Sequence, residues 1–95
     1  MTLLPTETLQ HFKANYPDWK DNNGKLEAHF KFKDFISAFS FLNGIALLSE
    51  KRNHHPEIYN VYNKVTLKLS THDAGEQITD KDLELAKEIS NFYNR

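Results

Sequence analysis

The stretch KLEAHFKFKDFISAFSFLNGIALLSEKR, residues 25–52, changes its hydrophobic period at Asp34. Before Asp34, apolar residues alternate with charged or polar ones, which predicts a β-strand with one apolar face. After it, apolar residues recur every three or four positions, which predicts a helix with Asp34 as its N-cap and its end near Arg52. The helical set consists of Phe35, Ala38, Phe39, Leu42, Ile45, Ala46 and Ser49. A one-sided strand followed directly by an amphipathic helix indicates a sheet that helices cover on one face.

Two hairpins are predicted, one on each side of the central helix. In the first, Trp19 precedes the turn Asn22–Gly24, and the alternating strand follows that turn. In the second, Ile58 and Val61 form a short extended run, and a strand with alternating apolar residues begins near Val65. The change of direction between these two runs falls on residues 62–64, and the apolar residues of the last strand are Val65, Leu67 and Leu69.

Helices are also predicted near both ends of the chain. Thr6 suits the N-cap of a short helix that stops before Pro17. Thr79 and Asp82 have the spacing of a capping box ahead of an amphipathic helix containing Leu83, Ala86, Ile89 and Tyr93. The predicted order is therefore α-β-β-α-β-β-α. This α+β order predicts one domain over residues 1–95, with a four-stranded antiparallel sheet and helices packed on one face.

The composition excludes several classes of protein. The chain of 95 residues has no cysteine, so disulfide frameworks, thiolate metal sites and cysteine nucleophiles are excluded. The formal net charge of −1 gives no excess positive field, so neither nucleic acid nor a membrane surface is expected as a partner. The first residues lack the pattern of a signal peptide, and no apolar run is long enough to span a membrane. A cytoplasmic protein is expected.

Three of the five histidines lie within the stretch NHHPEIYNVYNKVTLKLSTH, residues 53–72. His54 and His55 follow the predicted central helix, and Pro56 restricts His55 to an extended backbone, so the two side chains should diverge. His72 lies at the far end of the last strand and shares parity with its polar residues. Because imidazole titrates near neutral pH, the three histidines favour general acid and base catalysis. Glu50, one turn before the pair, could orient it.

Other interpretations of the histidines are weaker. Each one alone could be an ordinary surface or loop histidine, as is expected for His11 and His29 on polar faces. Three imidazoles can hold zinc, but adjacent residues seldom chelate one ion, so a metal site is disfavoured. Ser70 and Thr71 directly precede His72, yet neighbouring side chains on a strand point apart, which argues against a hydroxyl–histidine relay. There is no glycine-rich phosphate loop.

These motifs resemble the pterin-4a-carbinolamine dehydratase family. The resemblance rests on HHP at residues 54–56, NVYNKV at residues 60–65, STHDAG at residues 70–75 and TDKD at residues 79–82. It implies the fold predicted above and the dehydration of 4a-hydroxytetrahydropterin to quinonoid dihydropterin, without a metal or an organic cofactor. This reaction recycles the pterin of aromatic amino acid hydroxylases, so the resemblance also implies a possible functional link to such an enzyme.

The resemblance also implies roles for individual residues. The catalytic histidines of the family fall on His54, His55 and His72, and two acidic positions that would orient them or hold the pterin ring fall on Glu50 and Asp82. The remaining residues expected to bind or orient the substrate are Pro56, Ser70 and Thr71. The chain departs from the family pattern at Ile58, which is commonly aromatic, at Asn53, which is frequently acidic, and in the segment 72–79, which is one residue longer than in the animal enzymes.

Two other kinds of function remain open. Animal members of this family also act as dimerisation cofactors for a homeodomain transcription factor, which would make the chain a non-catalytic binding module. Alternatively, the histidine pocket could serve another pterin, such as a molybdopterin-related compound. A one-sided sheet in so small a domain also predicts self-association as a dimer or tetramer, through the central helix or the sheet edge.

Overall fold

The computed structural model describes residues 6–95 and confirms the predicted order of helices and strands. The predicted domain begins at residue 1, and residues 1–5 lie outside the described part. Thr6, expected as the N-cap of the first helix, is its first helical residue. The elements are α1 (Thr6–Asn15), β1 (Trp19–Asn22), β2 (Lys25–Lys31), α2 (Phe35–Arg52), β3 (Glu57–Val61), β4 (Lys64–Leu69), a short 3-10 turn (His72–Ala74) and α3 (Asp80–Tyr93).

The four strands form one antiparallel sheet in the order β1-β2-β4-β3. The hairpins therefore lie side by side, with β2 and β4 in the centre and β1 and β3 at the edges. Asn23 and Gly24 turn the first hairpin with φ of 55° and 81°, the conformation that Asn-Gly favours in two-residue turns. Asn63 joins the second turn to the end of β2, because its side-chain amide donates to the Phe32 carbonyl oxygen at 2.8 Å.

One face of the sheet packs against the helices, as predicted. Trp19 is buried as part of the core, and its indole N–H donates to the Ser90 hydroxyl of α3 at 2.8 Å. The opposite face carries polar side chains, among which His29 contacts Glu27 at 2.7 Å and Thr66 at 2.9 Å. The buried apolar residues of β2, β4, α2 and α3 are Leu26, Ala28, Phe30, Ala38, Phe41, Ile45, Val65, Leu67, Leu69, Leu83, Leu85, Ala86 and Ile89.

The predicted inner face of α2 was wrong in part. Phe35 and Phe39, expected in the core, are 48% and 51% exposed, and Ala46 is also exposed, whereas Phe41 is buried. The buried stripe consists of Ala38, Phe41, Ile45 and Ser49. The helix is apolar on nearly all sides, so its periodicity fits more than one stripe, and packing against the sheet and α3 selects among them. This choice of stripe leaves a second apolar surface outside the core.

Candidate active site

The side chains of the two consecutive histidines that follow α2 point in different directions. Asn53 adopts the left-handed conformation with φ of 50° and ends the helix, and the His54 N–H then donates to the Ser49 carbonyl oxygen at 3.0 Å. His54 is buried, with 9% of its side chain exposed, whereas the His55 side chain is 56% exposed. The divergence predicted from Pro56 is therefore present, and it gives the two imidazoles different surroundings.

His54 is held by a buried carboxylate on α3. Its Nε2 lies 2.5 Å from Oδ1 of Asp82, which has no exposed surface. The second oxygen of Asp82 accepts from the Thr71 hydroxyl and from the Thr79 backbone N–H, each at 2.8 Å. Asp82 is also the N3 residue of the predicted capping box, so one carboxylate both caps α3 and fixes the His54 ring. Because Asp82 is fully buried, its side chain contacts His54, Thr71 and Thr79 and not solvent.

His55 pairs with a different carboxylate. Its Nε2 lies 2.5 Å from Oε2 of Glu50, on the last turn of α2. Glu50 was expected to orient both histidines of the pair, but the structure places it against His55, while Asp82 holds His54. Both partners are more than half exposed, so the His55–Glu50 pair is open to solvent.

His72 lies beyond the end of β4. The strand ends at Leu69 instead of continuing to His72, because the Thr71 N–H pairs with the Gln77 carbonyl oxygen and the chain enters a 3-10 turn. The prediction that His72 lies on the polar side, away from the core, nevertheless holds, because Thr71 is buried and the His72 side chain is 90% exposed. Nδ1 of His72 lies 2.8 Å from Oε1 of Glu76. This hydrogen bond and the charge of Glu76 raise the pKa of His72, and the same contact lowers the pKa of Glu76.

The three histidines meet at one cavity of about 250 Å³, which Ser70 and Thr71 also line. His55 and His72 extend from it into a neighbouring cavity of about 310 Å³. The other side chains lining the second cavity are Lys25, Glu57, Lys68, Ser70 and Glu76. Imidazoles that differ in burial around one cavity can donate a proton to a bound molecule and accept one from it.

Some residues predicted for the site lie outside its walls. Glu50, Pro56 and Asp82 line neither histidine cavity, and the contacts of Glu50 and Asp82 are with the histidines. Ile58 is on the edge strand, paired with Leu67, and it also lines neither cavity. A departure from the family pattern at this position therefore leaves the described walls of the site unchanged.

Glu76 and Thr79 are site residues that the sequence analysis did not select. Glu76 follows His72 by four positions, and Thr79 was predicted only as a helix cap, although its hydroxyl lies 2.6 Å from that of Thr71. Their contacts depend on the turn between β4 and α3. In the sequence, the one sign that this turn differs from that of the animal enzymes was the additional residue in the segment 72–79.

A larger cavity of about 580 Å³ lies between α1 and α3, lined by Phe12, Tyr16 and Leu83 among others. Of the described imidazoles, only that of His11 lines it, whereas three imidazoles line the histidine cavity. Within residues 6–95, no group of three or more histidine, aspartate or glutamate side chains is arranged to hold a metal ion. None of the helices in this range is long and apolar enough to cross a membrane.

A small antiparallel sheet with helices on one face, and three histidine–carboxylate pairs at one end of it, define a class of domain suited to acid–base chemistry. The family model described as pterin 4 alpha carbinolamine dehydratase matches residues 2–92. The chain therefore belongs to the pterin 4 alpha carbinolamine dehydratase family.

Relatives in bacteria support this assignment. A protein of Prochlorococcus marinus (strain MIT 9515), provisionally named pterin-4-alpha-carbinolamine dehydratase, is 48% identical over 98% of this chain and 96% of its own length. A protein of Solibacter usitatus with the same provisional name is 54% identical over 93% of this chain and 92% of its own length.

Two solved structures share the fold. A crystal structure described as a transcriptional coactivator/pterin dehydratase from Brucella melitensis superposes with a TM-score of 0.89 and 31% identity, covering 97% of this chain and 99% of its own. A pterin dehydratase-like protein, identified as a RuBisCO assembly factor of the alpha-carboxysome, has a TM-score of 0.65 and 20% identity over 79% of this chain and 86% of its own. The second likeness concerns the fold alone.

Proposed function

We propose that this protein dehydrates 4a-hydroxytetrahydropterin to quinonoid dihydropterin and water by histidine acid–base catalysis, as part of pterin recycling. The observation that carries the proposal is the arrangement of three imidazoles, each with its own carboxylate partner, around one cavity. Membership of the family and the names of the relatives support the same reaction. The protein's own residues supply both proton transfers, so the proposed reaction uses no cofactor.

The reaction needs one proton donor and one proton acceptor. An imidazolium gives its proton to the 4a-hydroxyl, the carbon–oxygen bond breaks, and the hydroxyl leaves as water. A neutral imidazole takes the proton from the neighbouring ring nitrogen, and the electron pair of that N–H bond forms the new carbon–nitrogen double bond. We assign His72 and one histidine of the His54–His55 pair to the leaving hydroxyl, and the other histidine of the pair to the ring nitrogen.

The test of this function is the decay of chemically generated 4a-hydroxytetrahydropterin, followed by stopped-flow absorbance at neutral pH. The wild-type protein should accelerate the decay in proportion to its concentration. His29→Ala is a matched control, because His29 also pairs with a carboxylate but lines neither histidine cavity. The control should match the wild type. A wild-type protein that leaves the spontaneous rate unchanged would contradict the proposed reaction.

The identity of the pterin is a separate part of the proposal. The histidine cavities are walled by hydroxyl, imidazole and charged groups, which suits a polar heterocycle but does not distinguish one pterin from another. Quenching of ligand fluorescence with biopterin and with molybdopterin precursors tests the choice. Tighter binding of the precursors would move the reaction to the alternative substrate while leaving the histidine roles in place.

We also propose that the chain associates with itself as a dimer or tetramer. The outer face of α2 exposes Phe35, Ile36, Phe39 and Leu47, and Val61 is exposed on the edge strand β3. Exposed apolar surface of this kind favours association, and an unpaired edge strand offers free backbone groups to another copy. A partner protein covering the same surfaces would make the chain a binding module, as the name of the Brucella structure suggests for that protein.

Light scattering coupled to size exclusion at micromolar concentration should give a mass of at least two protomers. Phe39→Glu should lower that mass if α2 forms the interface, and Val61→Lys should lower it if the sheet edge does, because each places a charge in a desolvated contact. Ala14→Glu, on the exposed side of α1, is the control and should leave the mass unchanged. A monomeric wild-type protein would contradict self-association.

A further inference from the structure

The turn between β4 and α3 directs a carboxylate at His72. Glu76 has a φ of 59°, which non-glycine residues rarely adopt, and it directly follows Gly75 with a φ of 74°. The Glu76 N–H donates to the Thr71 carbonyl oxygen at 3.1 Å, and its Oε2 accepts from the Ser70 hydroxyl at 2.8 Å. Both the backbone and the side chain of Glu76 are thus fixed, with Oε1 left to contact His72.

Burial does not orient the His72 ring. His54 is enclosed by the core, but the His72 side chain is 90% exposed, and Glu76 is its one hydrogen-bond partner among residues 6–95. Without that partner the ring would sample other rotamers at little cost. The position of His72 at the cavity therefore depends on Glu76.

The three histidines do not use the same ring nitrogen to contact their carboxylates. His54 and His55 use Nε2 to contact their carboxylates, whereas His72 uses Nδ1. The second nitrogen of His72 is therefore Nε2, at the far end of the ring from Glu76. In the imidazolium form both nitrogens carry protons, so the contact to Glu76 and a donated bond from Nε2 can exist together.

We propose that Glu76 is the positioning residue that makes His72 the acid of the dehydration, which rests on the function proposed above. Glu76 fixes the ring through Nδ1 and favours the imidazolium form. The Nε2 proton passes to the 4a-hydroxyl as the carbon–oxygen bond breaks, and water leaves. His72 is then neutral. Its Nδ1 keeps its proton and the hydrogen bond to Glu76, and its exposed Nε2 takes a new proton from solvent.

The charged groups around His72 are consistent with this role. Asp73, in the same turn, also raises the pKa of His72. Two cations face the second cavity, but Lys25 pairs with Glu57 at 2.5 Å and Lys68 lies 3.6 Å from Glu27, so each has its own carboxylate. The other titratable or charged groups lining the two cavities with His72 are His54, His55 and Lys81.

The sign of the expected pH dependence follows from the raised pKa of His72. A raised pKa keeps the imidazolium form present at higher pH than in a free histidine, and the acid form is lost as the pH rises through that pKa. Glu76→Gln keeps the size of the side chain and removes its charge. The pKa of His72 should then fall, and the basic limb of the kcat profile should move to lower pH.

The experiment combines histidine titration by NMR with pH profiles of kcat and KM for the wild type, Glu76→Gln and Glu76→Asp. In Glu76→Gln, kcat on the basic limb should fall on the order of tenfold, part of what general acid catalysis contributes, with a smaller change in KM. Glu76→Asp should restore the limb in part, because it restores the charge. Glu7→Gln removes an exposed carboxylate on α1, outside both cavities, and should leave the limb in place.

The NMR measurement separates this inference from the function on which it rests. An unchanged His72 titration in Glu76→Gln overturns the role of Glu76, whether or not the protein is active. A His72 titration that shifts while the basic limb stays in place overturns the assignment of His72 as the acid. A wild-type protein without dehydratase activity overturns the proposed function, and the titration still reports whether Glu76 sets the charge of His72.

Discussion

His72→Ala and His55→Ala should each lower the kcat of pterin dehydration by two or more orders of magnitude, the range that positioned acid–base groups contribute. Each variant removes an imidazole that lines both cavities. Water can replace the missing group, but it is a weaker acid and a weaker base than imidazole near neutral pH and is not held in place. Single-turnover stopped-flow absorbance measures the effect directly.

The two variants should fold like the wild type, so a lower rate would report the missing imidazole and not unfolding. The side chains of His55 and His72 are 56% and 90% exposed, so alanine at either position removes little packing. The circular dichroism spectrum and the urea unfolding midpoint should match those of the wild type, as is usual for surface substitutions. Equal rates for the wild type, both variants and His29→Ala would show that the histidine cavity does not perform this reaction.

Asp82→Ala should lower the free energy of unfolding by about 3 kcal/mol or more, because it leaves several buried groups without a partner. The carboxylate accepts hydrogen bonds from the Thr71 hydroxyl and the Thr79 N–H, and it contacts Nε2 of His54. Alanine can satisfy none of these, and it also removes half of the capping box of α3. Urea unfolding at a fixed protomer concentration measures the loss, since association changes apparent stability.

Asp80→Ala is the matched control for this prediction. Asp80 lies in the same first turn of α3 and has the same charge, but it is exposed, and within residues 6–95 its side chain accepts one hydrogen bond, from the neighbouring Lys81 N–H. Its removal should cost about 0.3–1 kcal/mol, through the interaction of its charge with the helix dipole. Equal losses in the two variants would mean that the buried network of Asp82 contributes nothing beyond the charge.

The order of the elements could be predicted because the hydrophobic period changes at recognisable boundaries. Asp34 begins α2, Asn23 and Gly24 turn the first hairpin, and Asp82 belongs to the capping box of α3. The inner face of α2 could not be predicted, because apolar residues such as Ile36 and Leu47 surround most of the helix and periodicity cannot choose among them. Contacts with the sheet and with α3 make that choice.

The candidate site was predictable to a similar extent. Adjacent histidines followed by proline indicated two diverging side chains, and the parity of the last strand kept His72 out of the core. The partner of each histidine depends on tertiary structure, because the loop after α2 turns His54 toward α3. Glu76 could not be assigned to His72 from the sequence, since its direction depends on the positive φ at residues 75 and 76.

The double role of Asp82 affects how related chains should be compared. Any related chain that folds this way gains from keeping Asp82, whatever its function. The exposed His72–Glu76 pair contributes little to folding, so under the proposed function only the chemistry would maintain it. In related chains that keep the fold but lose the proposed reaction, that surface pair should therefore disappear before the buried aspartate does.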